Sequence, residues 1–264
     1  IDMHSHILPG LDDGPSDMDQ AVAMARVAVK DGITEMVCTP HWVLGKYENN
    51  REAILNLLEE LRIRLDLEKI PLLVHPGAEL RIDVSIPARL KAGELVTLND
   101  GSGYVLLELP DEALPSNLHE FFWNLQISGY RPILSHVERN PFLREHPRRL
   151  QNWVENGILA QVTAASLLEG FSTEIQEFSM LLVKHRLVHM LVTDTHSLRM
   201  RKPELSAAYR VIEEVAGPET AKRMVLDTPQ HILRGEAVPV IDPIPFESQK
   251  KVHFWSFLNK VIPE

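Results

Sequence analysis

IDMHSHILPGLDDG, residues 1–14, opens the chain and carries the pattern around which the rest is organised. His4 and His6 are two residues apart after a short apolar start, and side chains at positions i and i+2 of a strand point to the same side. Two imidazoles placed in this way can bind one metal ion. The glycine-flanked pair Asp12 and Asp13 lies in a predicted turn that could return a carboxylate to the same site. The alternative interpretation is a surface turn that happens to hold two histidines.

The composition limits the class of protein. The chain has 264 residues, 44% of them hydrophobic and 24% charged, which fits one large α/β domain or two small ones. A formal net charge of -10 argues against nucleic acid as the main partner, because nucleic-acid-binding surfaces are basic. Cys38 is the single cysteine, so metal ligands must be nitrogen and oxygen atoms. The sequence contains neither a long apolar run nor room for a signal peptide, which predicts a cytoplasmic protein without stable membrane insertion.

Strand-like and helix-like segments alternate from the opening motif to about residue 235. Counting the opening strand, we predict seven strands, the others at residues 33–39, 72–75, 104–107, 132–135, 158–162 and 188–193. An alternation of this length predicts an α/β fold, a distorted seven-stranded (β/α)7 TIM-like barrel with one strand fewer than the usual eight.

The predicted barrel domain covers residues 1–236, and residues 237–264 form a C-terminal extension. Pro239, Pro243 and Pro245 predict an extended connector at its start. A predicted amphipathic helix follows at about residues 248–261, and its apolar face needs cover. Docking on the chain's own barrel is favoured over a subunit contact or a position on a membrane surface.

Most of the predicted strands end in a residue that can bind a metal. The carboxyl ends of barrel strands meet at one rim, so residues far apart in the sequence are expected to come together there. Taken singly, each could be a loop histidine, a salt-bridge partner or a capped core histidine. With Asp13, the candidate ligands are His4, His6, His41, Glu79, Glu108, His136, Asp194 and His196. These are too many for one ion, so two or three ions are predicted, and the mixed ligands suit manganese, iron or zinc.

On these motifs the chain resembles the PHP (polymerase and histidinol phosphatase) superfamily. Within that superfamily it is most similar to the bacterial manganese-dependent protein-tyrosine phosphatases of capsule and exopolysaccharide loci. The matching blocks, in family order, are DMHSHI at 2–7 with DDGP at 12–15, TPH at 39–41, GAE at 77–79, HVER at 136–139 and TDTH at 193–196. The sequence VTAA at 162–165 departs from the more polar family stretch.

The resemblance implies three divalent ions, most simply manganese, with Glu79 bridging two of them. The implied ligands are His4, His6, Glu79 and Asp194 for the first ion, Glu79, Glu108 and His136 for the second, and Asp13, His41 and His196 for the third. Asp12 remains the alternative to Asp13, which the family block favours. The implied activity is hydrolysis of phosphotyrosine, through a metal-bridging hydroxide, on the tyrosine-rich tail of a bacterial polysaccharide-export kinase.

Two arginines are predicted to bind the phosphate. Arg139 follows His136 by three residues and Arg201 follows Asp194 by seven, so both are expected on loops at the metal-bearing rim. Arg199 could replace Arg201, and Arg139 could instead pair with Glu138 or Glu145.

Other chemistries are less well supported. Cysteine-based tyrosine phosphatases need an arginine six residues after the cysteine, but Leu44 occupies that position after Cys38, which we interpret as a core residue. Amidohydrolases share the barrel and the opening histidines, yet they commonly use a lysine at a strand end, where this chain has Glu108. A small-molecule phosphatase such as histidinol phosphatase, and a metal-binding scaffold without activity, remain alternatives.

Overall fold

The computed structural model describes residues 1–111, 114–168, 170–199, 201–239 and 241–246. The predicted helix at 248–261 lies outside the described residues. The strands are β1 (Asp2–Ser5), β2 (Glu35–Cys38), β3 (His41–Val43), β4 (Tyr47–Glu48), β5 (Leu73–Pro76), β6 (Glu79–Arg81), β7 (Tyr104–Glu108), β8 (Arg131–Leu134), β9 (Leu159–Thr163) and β10 (Met190–Val192). The α-helices are α1 (Met18–Asp31), α2 (Arg51–Leu67), α3 (Ile86–Lys91), α4 (Leu118–Ile127), α5 (Pro141–Glu145), α6 (Pro147–Glu155), α7 (Ala164–Leu167), α8 (Thr173–Lys184), α9 (Ser206–Ala216), α10 (Pro218–Lys222) and α11 (Thr228–Leu233).

The strands form two sheets, and the α/β class predicted from the sequence is confirmed. One sheet has the order β1-β2-β5, and the other has the order β10-β9-β8-β7-β6-β3-β4. All pairs are parallel except β3 with β4. The parallel strands explain the alternation of strands and helices in the sequence, since a parallel neighbour requires a crossover connection.

Two chain segments pass from one sheet into the other. β2 is followed by β3 after Thr39 and Pro40, and β5 is followed by β6 after two residues. The sequence predicted a single strand at each place, because it does not show that the chain changes pairing partner. At the second bend, a Cβ on Gly77 would lie 2.9 Å from Cγ1 of Val37, so the close approach of the two segments requires glycine there.

The first and last strands approach each other at their carboxyl ends. The Asp194 N–H donates to the His4 carbonyl at 2.9 Å, and the His6 N–H donates to the Thr195 carbonyl at 2.9 Å. These two hydrogen bonds fix the opening motif beside the segment that follows β10.

The core has two parts. A larger hydrophobic cluster includes side chains of the helices and strands, among them Ala25, Leu58 and Leu182. A smaller cluster collects side chains from strands of both sheets together with Leu98 and with Ile232 of α11; its strand residues are Met3, Val37, Tyr104, Leu106, Ile133, Leu159, Met190 and Val192. The strands are therefore packed on both sides, as parallel strands covered by helices usually are.

The proline-containing connector lies against the domain. The Tyr104 hydroxyl donates to the Glu236 carbonyl at 2.8 Å, and the Ile244 N–H donates to the His185 carbonyl at 2.9 Å. The Phe246 N–H donates to Oε1 of Gln151 on α6 at 3.3 Å. Among the helices of the described ranges, none combines the length and apolar character needed to cross a bilayer.

Candidate metal centre

The carboxyl ends of the strands bring together all nine residues predicted as metal ligands. The positions follow from the strand boundaries: His4 lies in β1, Glu79 follows the end of β5 by three residues and Glu108 ends β7. His136 and Asp194 each follow the end of a strand by two residues and have positive φ angles of 26° and 50°. Such backbone angles are uncommon for these residue types, and they occur here where the chain turns out of the sheet at a candidate ligand.

The first ligand set has tetrahedral dimensions. Nε2 of His4 lies 3.2 Å from Nε2 of His6, 3.3 Å from Oε2 of Glu79 and 3.3 Å from Oδ1 of Asp194. Nε2 of His6 lies 3.4 and 3.3 Å from the same two oxygens. Four ligands at about 2.0–2.1 Å from one ion are separated by about 3.3 Å in a tetrahedron. The four side chains therefore already have the spacing that a bound cation requires.

The second set is centred on Glu79, whose two oxygens face different partners. Oε1 of Glu79 lies 2.9 Å from Nε2 of His136, which is 3.9 Å from Oε1 of Glu108. Oε2 faces the first set and is also 3.1 Å from Nδ1 of His41. Glu79 thus lies between two groups of candidate ligands, in the position that the resemblance assigned to a bridging carboxylate.

The third set lies nearest the surface. Oδ1 of Asp13 is 3.3 Å from Nε2 of His196 and 3.6 Å from Nε2 of His41. Asp12 points elsewhere: its Oδ2 lies 2.6 Å from Nδ1 of His6 and accepts a hydrogen bond from the His41 N–H at 2.8 Å. The sequence did not decide which of the two aspartates is the ligand. Asp13 faces the other candidate ligands, whereas Asp12 contacts Nδ1 of His6 and so orients that imidazole.

The donor atoms fit divalent cations. Within the described ranges, eight buried side-chain nitrogen or oxygen atoms make no hydrogen bond, and six of them belong to candidate ligands. These six are His41 Nδ1, both Glu79 oxygens, Glu108 Oε2, Asp194 Oδ1 and His196 Nε2. Buried polar atoms without partners are costly, and their concentration in one cluster of imidazoles and carboxylates fits a set of ligands for divalent cations.

Glu79 and Asp194 remain ionised despite their burial. Burial alone raises the pKa of Glu79, but the imidazoles of His4 and His136 hold this pKa well below its usual value. Burial also opposes ionisation of Asp194, whose pKa is held well below normal by Arg139 and then by His4. Two anionic carboxylates inside the cluster provide the negative charge that stabilises cations there.

Both predicted phosphate-binding arginines contact Asp194. Nη2 of Arg139 donates to Oδ2 of Asp194 at 2.6 Å, and Nη1 of Arg201 donates to the same oxygen at 3.0 Å. The Arg139 side chain therefore pairs with the cluster rather than with Glu138 or Glu145. Arg199, the alternative to Arg201, is exposed.

One cleft contains the arginines and the outer ligands. It has a volume of about 480 Å³ and is lined by Asp13, His41, Glu108, Asp111, His136, Arg139, Pro141, Arg144 and Arg201. A bound anion in this cleft can contact guanidinium groups and candidate metal ligands at the same time. This arrangement suits phosphate, which arginine recognises through paired hydrogen bonds.

Sequence reasoning missed residues that position the ligands. Oε1 of Gln161 lies 2.9 Å from Nδ1 of His4, and a polar residue within the apolar segment 158–162 was the available signal. Arg144 was also missed, although its Nη1 donates to the Arg139 carbonyl at 2.6 Å and so supports the loop that carries this arginine. Partners of this kind fix the orientation of the residues that contact a metal or substrate.

The departure at 162–165 has a structural role. Oε1 of the fully buried Glu138 accepts hydrogen bonds from the Thr163 N–H at 3.1 Å, from the Thr163 hydroxyl at 2.8 Å and from the Ser166 hydroxyl at 2.7 Å. The 3₁₀ turn Val137–Arg139 is thereby tied to the end of β9. These residues hold a neighbouring turn in place, and they do not line the cleft.

Comparison with known proteins gives a consistent result. The sequence profile of a family described as "Capsular polysaccharide synthesis, CpsB/CapC" matches residues 1–234. The tyrosine-protein phosphatase YwqE of Bacillus subtilis (strain 168) is 36% identical over 255 residues, which cover 97% of this chain and 100% of the relative. The tyrosine-protein phosphatase CpsB of Streptococcus pneumoniae is 28% identical over 244 residues, covering 90% and 100%.

Solved structures share the fold. One, described as "Crystal structures of YwqE from Bacillus subtilis and CpsB from Streptococcus pneumoniae, unique metal-dependent tyrosine phosphatases", superposes with a TM-score of 0.88 at 35% identity, covering 94% of this chain and 99% of the other. The beta-aspartyl dipeptidase of Fervidobacterium islandicum AW-1 superposes with a TM-score of 0.53 at 15% identity, covering 90% and 74%. At that identity the dipeptidase shows a shared fold alone.

Proposed function

Because this chain belongs to the CpsB/CapC capsular polysaccharide synthesis family, we propose that it is a metal-dependent tyrosine-protein phosphatase. The observation that carries the proposal is the single cleft in which Arg139 and Arg201 lie beside the carboxylates and imidazoles of the candidate metal centre. A phosphomonoester needs cationic groups around its phosphoryl oxygens and an activated water nearby, and this cleft can provide both.

Three divalent ions, most simply manganese, are the cofactors that we propose. The ligands are His4, His6, Glu79 and Asp194 for the first ion, Glu79, Glu108 and His136 for the second, and Asp13, His41 and His196 for the third. When bound, such ions neutralise charge on phosphoryl oxygens and lower the pKa of water enough to supply a nucleophile at neutral pH.

The protein's own groups would bind and orient the substrate. The shared contact with Asp194 fixes the orientation of the Arg139 and Arg201 guanidinium groups. Their remaining N–H groups are available for a phosphate. Asp12 holds the imidazole of His6 through Nδ1, which leaves Nε2 directed at the first ligand set. His6 is thus aligned before substrate binds, which limits the rearrangement that catalysis requires.

The proposed substrate is a phosphorylated tyrosine-rich tail of a bacterial polysaccharide-export kinase. The relatives are tyrosine-protein phosphatases in a capsule synthesis family, which supports a phosphotyrosine protein as the substrate class. A kinase that uses ATP presents such a tail inside the cell, so the proposal implies a cytoplasmic location.

We also propose that the sheets close into a distorted seven-stranded barrel that forms one catalytic domain at residues 1–236, with residues 237–264 as an extension. The hydrogen bonds between the opening motif and the segment after β10 support closure, as does the hydrophobic cluster that side chains of both sheets share. Counting β2 with β3 and β5 with β6, and leaving out the short β4, gives seven strands.

A substrate panel tests the proposed activity. The purified chain loaded with manganese should be assayed on phosphotyrosine peptides, phosphoserine peptides and histidinol phosphate. Preferential hydrolysis of phosphotyrosine is expected. Preference for histidinol phosphate would indicate the small-molecule alternative, and inertness on every ester would indicate a metal-binding scaffold.

A further inference from the structure

An aromatic side chain, Phe171, lies beside one of the two arginines proposed to bind phosphate. The central guanidinium carbon of Arg139 lies over the Phe171 ring, 5.6 Å from its centroid, which is the geometry of a cation–π contact. The contact does not bury the ring, because Phe171 remains 36% exposed. A partly exposed ring next to a phosphate-binding group can contact the organic part of a bound ester.

The residues on either side of Phe171 fix its position. The Gly170 N–H donates to the Ala165 carbonyl at 3.2 Å, and a Cβ on Gly170 would lie 2.8 Å from that oxygen, so the close approach requires glycine. Ser172 is the N-cap of α8, and its hydroxyl oxygen accepts a hydrogen bond from the Ile175 N–H at 3.3 Å. The exposed ring is therefore carried by a turn whose backbone is anchored at both ends.

Arg144 links the loop that carries Arg139 to the helix that follows Phe171. Nη1 of Arg144 donates to the Arg139 carbonyl at 2.6 Å, and its Nε donates to Oε1 of Glu174 on α8 at 3.2 Å. The ring and the guanidinium group are thus kept together by the elements that carry them as well as by their own contact.

The surroundings of Phe171 suit contact with the ester group of a substrate. The side chains become more exposed from the candidate metal centre outwards, since Asp194 is buried, Arg139 is partly buried and Phe171 is exposed. Buried ligands close the inner end of the cleft, so a phosphate bound by Arg139 must direct its ester group towards solvent. Phe171 does not line the cleft itself and adjoins it on this outer side, through Arg139.

We propose that Phe171 contacts the aromatic ring of bound phosphotyrosine and so favours aryl over alkyl phosphate esters. The inference rests on the proposed phosphatase activity and assigns to it a residue that recognises the leaving group. Aromatic pairs interact at centroid separations of about 4.5–7 Å, a range open to a ring whose phosphate is held by Arg139. Tyr47 is the alternative aromatic residue, but its ring contacts the candidate ligand His41 and the ammonium group of Lys46 instead of a phosphate-binding arginine.

Calorimetric binding of two phosphonates to the manganese-loaded full chain tests the inference without requiring turnover. Phenylphosphonate carries an aromatic ring, and methylphosphonate does not. In Phe171→Ala, the Kd of phenylphosphonate should rise about threefold to tenfold, as expected for loss of one aromatic contact, while that of methylphosphonate should change by less than about twofold. Phe171→Tyr should retain the preference for phenylphosphonate, whereas Phe171→Leu should lose most of it.

Phe142→Ala is the matched control. Phe142 makes the same kind of contact with Arg149, whose guanidinium carbon lies 4.9 Å from the ring centroid, and neither residue lines the cleft. This variant should leave both dissociation constants unchanged.

Two results would overturn the inference. Equal weakening of both phosphonates in Phe171→Ala would show that Phe171 acts only by supporting Arg139. A preference for phenylphosphonate that persists in Phe171→Ala but disappears in Tyr47→Ala would assign the ring contact to the other aromatic residue. Failure of the proposed activity gives a different result: the parent hydrolyses no phosphotyrosine peptide, while its preference for phenylphosphonate still depends on Phe171, which would support the ring contact alone.

Discussion

Arg139 donates to Oδ2 of Asp194 at 2.6 Å, while Oδ1 of the same carboxylate lies 3.3 Å from Nε2 of His4. One aspartate thus joins the cationic side of the cleft to the cluster of candidate metal ligands. The negative charge of Asp194 that would stabilise a metal ion therefore also fixes the guanidinium group that would bind phosphate. Replacement of Asp194 is therefore expected to affect binding of both the ion and the anion, whereas replacement of His4 or of Arg139, which contact different oxygens of Asp194, should separate the two.

Loss of a candidate ligand should abolish activity without unfolding the protein. We expect His4→Ala, Glu79→Ala and His136→Ala each to lower turnover by at least a thousandfold, because each removes a donor atom rather than a core side chain. Metal content, measured by mass spectrometry of the purified protein, should fall in each variant. His75→Ala is the control, since this histidine pairs with Glu35 outside the cluster. Near-parental turnover with full metal content in any ligand variant would contradict the assignment at that position.

Loss of either arginine should affect the substrate rather than the metal. Arg139→Ala and Arg201→Ala should lower kcat/KM for a phosphotyrosine peptide by one to three orders of magnitude, at about 1.4 kcal/mol per tenfold, with metal content retained. Lysine at either position should restore only part of the loss, because an ammonium group lacks the paired donors of guanidinium. Arg199→Ala should behave like the parent. The reverse pattern, with Arg199→Ala inactive and both other variants active, would show that the wrong arginines were chosen.

Removal of the buried Glu138 carboxylate should destabilise the fold. Glu138→Ala leaves the buried Thr163 N–H without its acceptor, and the hydroxyls of Thr163 and Ser166, which are 2.8 Å apart, keep only each other as partners, at a cost of about 1–3 kcal/mol for a lost buried partner. Urea unfolding measures this difference. Glu138→Gln keeps an oxygen acceptor and should lose less than half as much. Equal stability of the alanine variant and the parent would show that the network contributes nothing to folding.

His189 should make stability depend on pH. Burial lowers the pKa of His189 from 6.5 to about 4, and its Nδ1 accepts a hydrogen bond from the Ala160 N–H at 3.1 Å. Because the unfolded chain binds this proton more readily, stability is fully present above about pH 6.5 and decreases as the pH falls towards 4. The loss is on the order of 3 kcal/mol. His189→Asn should flatten the unfolding free energy across this range, and an unchanged pH dependence would contradict the prediction.

The thiol of Cys38 should be unreactive and should not contribute to catalysis. Cys38 is fully buried in β2, and burial raises the pKa of its thiol far above neutral pH. Iodoacetamide should leave phosphatase activity unchanged, and Cys38→Ala should retain kcat/KM within about threefold, with only the stability loss of a small core truncation. Inactivation by iodoacetamide, in parallel with labelling of Cys38, would point to a thiol-dependent mechanism.

The sequence predicted the location of the site better than the details of the sheets. Candidate ligands such as His41 and Glu79 could be found because parallel strands direct their carboxyl ends to one edge, so position within a strand-helix repeat is enough to bring them together. The divisions between β2 and β3 and between β5 and β6 could not be found, because a change of pairing partner depends on neighbours that are distant in sequence. Gly77 lies at one of these bends, but the requirement for glycine there is explained only by its close approach to Val37 in the folded chain.

Sequence alone also did not reveal the residues that hold the candidate ligands and the neighbouring turn in position. From the sequence, Asp12 was only an alternative to Asp13 as a metal ligand, because adjacent carboxylates cannot be distinguished there. In the folded chain the turn directs Asp13 towards His196 and Asp12 towards Nδ1 of His6. Glu138 and Thr163 belong to different strand-helix units, and nothing in their spacing indicates that they meet. Hydrogen-bonded support of this kind is set by tertiary packing, for which a single sequence has no periodic signal.

Metal dependence of phosphotyrosine hydrolysis tests the central claim most directly. The chain should be stripped with a chelator, dialysed and titrated with manganese while metal content and initial rate are measured on the same samples. The account predicts no turnover in the stripped protein, recovery that follows occupancy of the cluster, and no recovery in Asp194→Asn. Undiminished hydrolysis by protein that contains no metal would contradict it.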